Sequence, residues 1–84
     1  MPTILPLSEK LRKKIIRHNL QKKWDKQLQL FTHNPAHPGL NTELLVPKEY
    51  GIYSFRIDRT FRALFVYQRE TKNVEIIGIT VHYK

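Results

Sequence analysis

The chain has 84 residues, enough for one domain spanning residues 1–84 with a modest hydrophobic core. Its 15 Lys and Arg against seven Asp and Glu give a net charge of +8 and a pI near 10.1. This balance is typical of proteins that bind nucleic acid, a ribosome or an acidic partner, although a highly soluble domain with a solvated basic face is the alternative. The lack of cysteine excludes disulfides and thiolate metal sites, and no apolar run approaches the roughly 18 residues of a membrane span, so we expect a cytoplasmic protein.

The first residues of the chain carry signals for a short strand and a helix start. Residues 3–5 can form a short edge strand, which Pro6 closes. Ser8 is a suitable helix N-cap, and Glu9 follows in the first turn, where the helix dipole favours a negative charge. A helix is therefore predicted to begin at Ser8.

Apolar residues recur at helical spacing through residue 31. A stripe at every fourth residue turns about 40° around the helix axis per step, so over this length it drifts too far to face one core. We therefore predict two helices, at residues 8 to about 17 and 20 to about 32, with a break at 18–19. One bent helix is the alternative. The stripe consists of Leu7, Leu11, Ile15, Ile16, Leu20, Trp24, Leu28 and Phe31.

Half of the positive charge of the chain lies in these two predicted helices. Such a concentration is typical of a solvated helical face, but it also suits a surface for RNA phosphates or for an acidic protein segment. The candidate residues for this surface are Lys13, Lys14, Arg17, Lys22 and Lys23.

A loop is predicted at residues 33–40, HNPAHPGL, because its prolines prevent helix continuation. His33 and His37 have the i,i+4 spacing of a helical metal pair, but Pro35 between them removes that geometry. With no third ligand in evidence we predict no metal site and no cofactor. A connector at residues 41–50 follows the loop.

Alternation of apolar and polar residues begins after Gly51 and predicts antiparallel strands. Phe55 and Ile57 can share a buried face with Phe61 and Phe65 only if Ile57 lies opposite Phe61. A slip of one residue would turn every side chain to the other face. The helices and strands together predict an α+β domain, with two N-terminal helices packed on one face of a small antiparallel sheet.

This register places Arg56 directly opposite Arg62. Like charges across a strand pair are unfavourable, so the pair calls for a carboxylate of the protein or an anion from outside. A third strand, VEIIGITV, returns after a turn at residues 68–73 and would bring His82 to the face of the arginines, with Tyr83 at its edge. Its buried side is predicted to hold Ile77, Ile79 and Val81, and its other side Gly78, Thr80 and His82.

Two guanidiniums and an imidazole on one open face suit phosphate chemistry. Cleavage of RNA requires removal of the 2′-hydroxyl proton, stabilisation of the extra negative charge on phosphorus, and protonation of the leaving 5′-oxygen. Arginine stabilises that charge with a bidentate fork, and histidine serves as acid or base near neutral pH. Glutamate or tyrosine could serve if its pKa were shifted by burial or by the arginines. Arg56 taken alone, however, is more typical of a structural ion pair with Asp58 or Glu43.

Several segments together resemble the RelE/ParE superfamily of bacterial toxins from type II toxin-antitoxin systems. They are the basic helical pair, the NPAHPGL loop, GIYSFRID, FRALFVY and the closing His-Tyr, and they cover most of the chain. The His-Tyr ending is most similar to the YoeB/Txe branch, whose members are ribosome-dependent mRNA endonucleases.

This resemblance implies roles for individual residues. Arg62 in FRALF matches the catalytic arginine that stabilises the phosphate. His82 matches the branch's proton-transfer histidine, and Tyr83 the tyrosine that places the substrate or the leaving group. Counting back from SFRI puts Glu43 at the position of the proposed general base, with Glu49 as a competitor.

Arg56 also matches an arginine common in the family, which either contacts phosphate or is structural. The resemblance further implies metal-independent cleavage of mRNA in the A site of the 70S ribosome, and a cognate antitoxin that covers or distorts the site. One alternative is a non-enzymatic inhibitor of DNA gyrase like ParE, against which the His-Tyr ending counts. The other is an inactive basic RNA-binding relative.

Overall fold

The structure, a computed structural model, describes residues 3–81. Two helices precede a four-stranded antiparallel sheet in which neighbours in sequence are neighbours in space, in the order β1-β2-β3-β4. The predicted α+β class is confirmed. The helices are α1 (Glu9–Arg17) and α2 (Gln21–His33), the strands are β1 (Glu43–Leu44), β2 (Tyr53–Arg56), β3 (Phe61–Tyr67) and β4 (Val74–Val81), and single 3₁₀ turns lie at Pro38–Leu40 and Lys48–Tyr50.

The two helices begin and end close to the predicted positions. Ser8 caps α1, its Oγ accepting a hydrogen bond of 3.3 Å from the Leu11 amide. Between the helices Asn19 adopts a left-handed conformation with φ of 56°, which asparagine tolerates better than most residues. The prediction of two helices is therefore confirmed, and one bent helix is excluded. Neither is long and apolar enough to cross a membrane.

The core lies between the helices and one face of the sheet. Phe31 of α2 is at its centre, with ring centroids 5.4 Å from Phe55 and 5.2 Å from Phe65. Full burial of each such side chain contributes roughly 1.5–3 kcal/mol. The buried apolar residues are Leu11, Ile15, Leu20, Trp24, Phe31, Leu40, Phe55, Ile57, Ala63, Phe65, Val74, Ile76 and Ile79.

The register predicted for the central strand pair is confirmed. Arg56 lies opposite Arg62, and the Ile57 amide donates a hydrogen bond of 3.0 Å to the Phe61 carbonyl. Phe55 is fully buried on the helix side, as the alternation requires. The arginines therefore share the sheet face that the helices leave uncovered.

The register of β4 differs from the prediction because of a β-bulge. Leu64 pairs with Gly78 but Phe65 pairs with Ile76, so Ile77 is an extra residue with no partner on β3. An extra residue shifts the alternation on one side of the bulge. Ile76 is buried in place of Ile77, which is 44% exposed, so the predicted burial of Ile77 was wrong.

Beyond the bulge the predicted alternation of β4 is confirmed in part. Ile79 is buried, and Thr80 pairs with Arg62. Val81, which pairs with Phe61, is 39% exposed, so its predicted burial was wrong.

The predicted strand at residues 3–5 is reduced to a single parallel bridge between Ile4 and Val74. The Leu5 amide donates to the Val74 carbonyl at 2.9 Å, and the Val74 amide donates to the Thr3 carbonyl at 2.8 Å. The segment thus lies along the start of β4. It positions Leu7 against the hydrophobic core.

Candidate functional site

A pocket of about 270 Å³ opens on the sheet face opposite the helices. All four strands contribute to it, because residues that face one another across neighbouring strands point to the same side of a sheet. Glu43 pairs with Ser54 and Ser54 with Leu64, which places the three in one row. The lining residues are Glu43, Leu45, Ser54, Arg62, Leu64, Thr80 and Val81.

Arg62 is the cationic group of this pocket, and it is only 4% exposed. Its Nε donates a hydrogen bond of 3.1 Å to the Ser54 Oγ, and its Nη2 donates one of 2.7 Å to the Asn41 carbonyl. Both acceptors are uncharged. Among residues 3–81 no carboxylate forms an ion pair with Arg62, so its positive charge is oriented but not neutralised by the described chain.

Arg56 lies opposite Arg62 but is exposed. The two like charges therefore have different environments. The Arg62 side chain is bound by Ser54 and Asn41, whereas the Arg56 side chain lies in solvent. We expected a carboxylate for Arg56, but Asp58 is engaged elsewhere, with the Lys23 ammonium 3.1 Å from its Oδ2. Within the described part of the chain, neither Asp58 nor Glu43 forms an ion pair with Arg56.

Asp58 is a structural carboxylate at the turn between β2 and β3. Burial alone would raise the pKa of its carboxyl group, but hydrogen bonds from the Phe61 and Thr60 amides, at 2.7 and 2.8 Å, and the nearby Lys23 ammonium outweigh burial. The net effect is a pKa below the ordinary value of 3.8. The ionised form thus stabilises the register that sets Arg56 against Arg62.

The two glutamates of the connector are separated by the fold. Glu43 lies on β1 and lines the pocket with Arg62, whereas Glu49 lies in the 3₁₀ turn Lys48–Tyr50 and does not line it. The strand β1 was not predicted, because two residues are too few to show alternation. Its pairing with β2 is what brings Glu43 to the pocket.

The predicted site residues His82 and Tyr83 lie outside the described residues. The two residues that precede them, Thr80 and Val81, line the pocket. Thr80 also pairs with Arg62 across β3 and β4, which agrees with its predicted place on the face of the arginines.

The basic residues of the helices have different environments. The Lys14 ammonium donates a hydrogen bond of 2.7 Å to the Ile79 carbonyl and so connects α1 to β4. Lys13 lies 3.6 Å from the Glu9 carboxylate, and Lys23 pairs with Asp58, whereas Arg17 and Lys22 are exposed. Lys14 therefore has a structural role within the predicted RNA or partner surface.

Sequence reasoning missed three polar residues that organise the site: Ser54, Asn41 and Gln27. Gln27 is 7% exposed, and its Nε2 donates to the Gly39 carbonyl at 3.1 Å and to the Arg56 carbonyl at 2.6 Å. Its signal in the sequence is a polar residue on the apolar stripe of α2, three residues after Trp24. Nothing comparable marks Asn41, whose carbonyl is a backbone group.

The loop that ends at Asn41 is held by its own hydrogen bonds. The His37 Nδ1 accepts one of 2.9 Å from the Gly39 amide, and the Thr42 hydroxyl donates one of 3.1 Å to the Pro35 carbonyl. His37 is therefore a capping residue of the 3₁₀ turn. No group of three residues suited to hold a metal ion occurs within residues 3–81.

Comparison with known proteins finds similarity at the level of structure. No known protein-family model matches the chain, and no curated protein matches its sequence. Among solved structures, the chain is similar to a YoeB/ParE toxin from Agrobacterium tumefaciens, with a TM-score of 0.70 and 19% sequence identity over 99% of this chain and 100% of that one. At this identity the likeness establishes the fold, and the predicted RelE/ParE-like architecture is confirmed.

Proposed function

We propose that the protein is the toxin of a type II toxin-antitoxin system, belongs to the RelE/ParE superfamily, and acts as a ribosome-dependent, metal-independent mRNA endonuclease. The observation that carries the proposal is the buried Arg62 in the pocket of the open sheet face, with Glu43 in the same pocket. The fold shared with the YoeB/ParE toxin from Agrobacterium tumefaciens supports it.

The reaction is a transesterification within the RNA chain. A base removes the proton of a 2′-hydroxyl, and the oxygen attacks the adjacent phosphorus as the bond from phosphorus to the 5′-oxygen breaks. The products are a 2′,3′-cyclic phosphate and a 5′-hydroxyl, which takes up one proton. Negative charge accumulates on the non-bridging phosphate oxygens in the transition state, and a fixed guanidinium stabilises this charge most strongly where water is excluded.

Within this reaction Arg62 binds the scissile phosphate, and Arg56 supplies a second, solvent-exposed positive charge beside it. Glu43 is the candidate general base. By the resemblance to the YoeB/Txe branch, His82 protonates the leaving oxygen and Tyr83 places the substrate or leaving group.

The charge of the protein suits its proposed partners. A net charge of +8 favours association with mRNA and the ribosome, because cations that contact phosphates release counterions. Exposed Arg17 and Lys22 are the helical residues best suited to this contact, together with Lys13 and Lys23 at the cost of weak surface ion pairs. The cognate antitoxin is the partner that would inhibit this endonuclease activity in the cytoplasm.

The test is induced expression followed by primer extension on a message, with and without the neighbouring antitoxin gene. We expect growth arrest and discrete cleavage sites. Arg62→Ala should reduce cleavage about 10²- to 10³-fold, as does loss of other groups that stabilise transition-state charge. Glu43→Gln should reduce cleavage strongly, whereas the matched control Glu49→Gln should cleave like the wild type.

Other results would replace the proposal. A DNA-damage response with intact messages would indicate a gyrase inhibitor of the ParE kind. Harmless expression of a folded protein would indicate an inactive RNA-binding relative.

A further inference from the structure

We propose that Ser54 and Asn41 are positioning residues that set the orientation of the Arg62 guanidinium for the phosphate. This inference rests on the proposed function, because it concerns how the arginine of that site is held. The Ser54 hydroxyl and the Asn41 carbonyl bind two different nitrogens of one planar group, Nε and Nη2. Two such bonds fix both the position and the rotation of the guanidinium plane.

The Ser54 contact with Arg62 is buried. Ser54 is 1% exposed and lies on β2, diagonally across from Arg62, with Leu64 as its direct partner on β3. Because water does not reach the hydroxyl, the bond of 3.1 Å to Nε has no solvent competitor at that atom. A strand residue is also a more precise support than a loop residue.

The Asn41 carbonyl is aimed at Arg62 by the course of the preceding loop. Asn41 has φ and ψ of 50°, the left-handed conformation that asparagine tolerates, and its amide donates to the Pro38 carbonyl at 3.1 Å. Leu40, which is fully buried, anchors this turn in the core. The left-handed residue turns the chain into β1 and leaves its own carbonyl 2.7 Å from the Arg62 Nη2.

Gln27 connects the loop that ends at Asn41 with the strand that carries Ser54. Its side-chain amide donates both to the Gly39 carbonyl, in the turn before Asn41, and to the Arg56 carbonyl on β2, two residues after Ser54. The loop and the strand are thus bound to the same buried amide of α2. Movement of the loop relative to β2 would break one of these bonds.

Uncharged acceptors matter for the proposed chemistry. A carboxylate in their place would orient the guanidinium but also neutralise it and compete with the phosphate. Hydroxyl and carbonyl acceptors use two of the five N–H donors of arginine and leave its positive charge for the substrate. Preorganised charge of this kind needs no rearrangement when the transition state forms.

The first experiment compares Ser54→Ala with Thr71→Ala, which also loses a hydrogen-bonded hydroxyl but lies in the turn between β3 and β4, away from the pocket. For ribosome-dependent cleavage we expect Ser54→Ala to lower kcat about tenfold or more with little change in KM, since misplacement by an ångström costs up to about 10²-fold. In an Arg62→Ala background the same change should cause no further loss. A folded Ser54→Ala protein with the kcat of the wild type would overturn the proposal.

A second measurement does not depend on cleavage. The NMR signal of the Arg62 Nε–H should exchange slowly with water in the wild type and faster in Ser54→Ala, while Thr71→Ala leaves it unchanged. Equal exchange rates of the Arg62 Nε–H in the wild type, Ser54→Ala and Thr71→Ala would overturn the proposal that Ser54 positions the guanidinium. If the wild type cleaves no message, the proposed function fails, whereas this exchange measurement still tests the contact with Ser54.

The Asn41 carbonyl is tested by two substitutions that both remove the asparagine side chain but differ in how they tolerate the left-handed conformation. Glycine adopts it readily and valine does not. Asn41→Val should therefore lower kcat more than Asn41→Gly, and it should also shift the Arg62 Nη signals. Equal kcat losses in the two variants would show that the carbonyl does not position Arg62.

Discussion

Arg56 and Arg62 are direct partners across β2 and β3, yet the first is exposed and the second is 4% exposed. The difference comes from the hydrogen-bond acceptors that each side chain meets. Arg62 donates to the Ser54 hydroxyl and the Asn41 carbonyl. Within residues 3–81 the Arg56 side chain has no such acceptor, although the Arg56 backbone carbonyl accepts a hydrogen bond from Gln27. Of these two opposed arginines, Arg62 is therefore preorganised by hydrogen bonds, whereas the Arg56 guanidinium is solvated.

This asymmetry predicts opposite effects on stability. Arg62→Gln should destabilise the fold by about 1–3 kcal/mol, because the buried Ser54 hydroxyl and the Asn41 carbonyl lose a charged donor. Arg56→Gln should leave stability unchanged or raise it by about 0.2–1 kcal/mol through relief of like-charge repulsion. Urea denaturation measures the free energy of unfolding of both variants. Similar decreases for Arg62→Gln and Arg56→Gln would contradict the asymmetry.

Lys14 should contribute more to stability than the other lysines of the helices. Lys14→Met keeps the apolar stem but removes the bond to the Ile79 carbonyl, and hydrogen bonds to charged groups contribute about 1.5–3 kcal/mol. The matched control, Lys22→Met at an exposed position, should change stability by less than about 0.5 kcal/mol. Thermal unfolding of the two variants compares them, and a Lys14→Met protein as stable as the control would refute the structural role.

Gln27→Leu should destabilise the protein although leucine is apolar and similar in size. The Gly39 and Arg56 carbonyls would lose their donor, at a cost of about 1–3 kcal/mol. The control is Gln29→Leu on the exposed side of the same helix. Denaturant unfolding should give a lower free energy of unfolding for Gln27→Leu than for Gln29→Leu. Amide hydrogen exchange in the loop at residues 34–42 should become faster in Gln27→Leu alone. A Gln27→Leu protein more stable than the control would argue against the bridging role.

Asp58 should make stability depend on acid pH. Its pKa is lower in the folded protein than its ordinary value of 3.8, so folding favours the ionised form. The stabilisation is present above the unfolded pKa, near 4, and is lost as the pH falls through the lower folded pKa. Asp58→Asn keeps an oxygen acceptor for the two amides but cannot ionise. The stability difference between wild type and Asp58→Asn should therefore shrink between about pH 6 and about pH 3 in urea denaturation. A constant difference would exclude Asp58 as its source.

Much of the fold was predictable because its signals are local. Ser8, the apolar stripe and Asn19 set two helices, and the alternation on either side of residues 58–60 admitted one register in which both strands bury their aromatic residues. The bulge at Ile77 was not predictable from VEIIGITV, since a run of β-branched residues suits either face. The site was predicted in part: the register places Arg62 opposite Arg56, and the alternation of the last strand puts Thr80 on the same face.

That the two arginines lie opposite each other on the uncovered side of the sheet follows from the order of residues in the chain, because side-chain alternation is a property of neighbouring residues. Three further features required the folded domain: which arginine is buried, which glutamate shares its pocket, and which atoms accept hydrogen bonds from its guanidinium. Those outcomes depend on the course of the loop at residues 34–42 and on the pairing of β1 with β2, which bring together groups up to 21 residues apart in the chain. No short-range pattern encodes such a distance, because packing of the whole domain sets it.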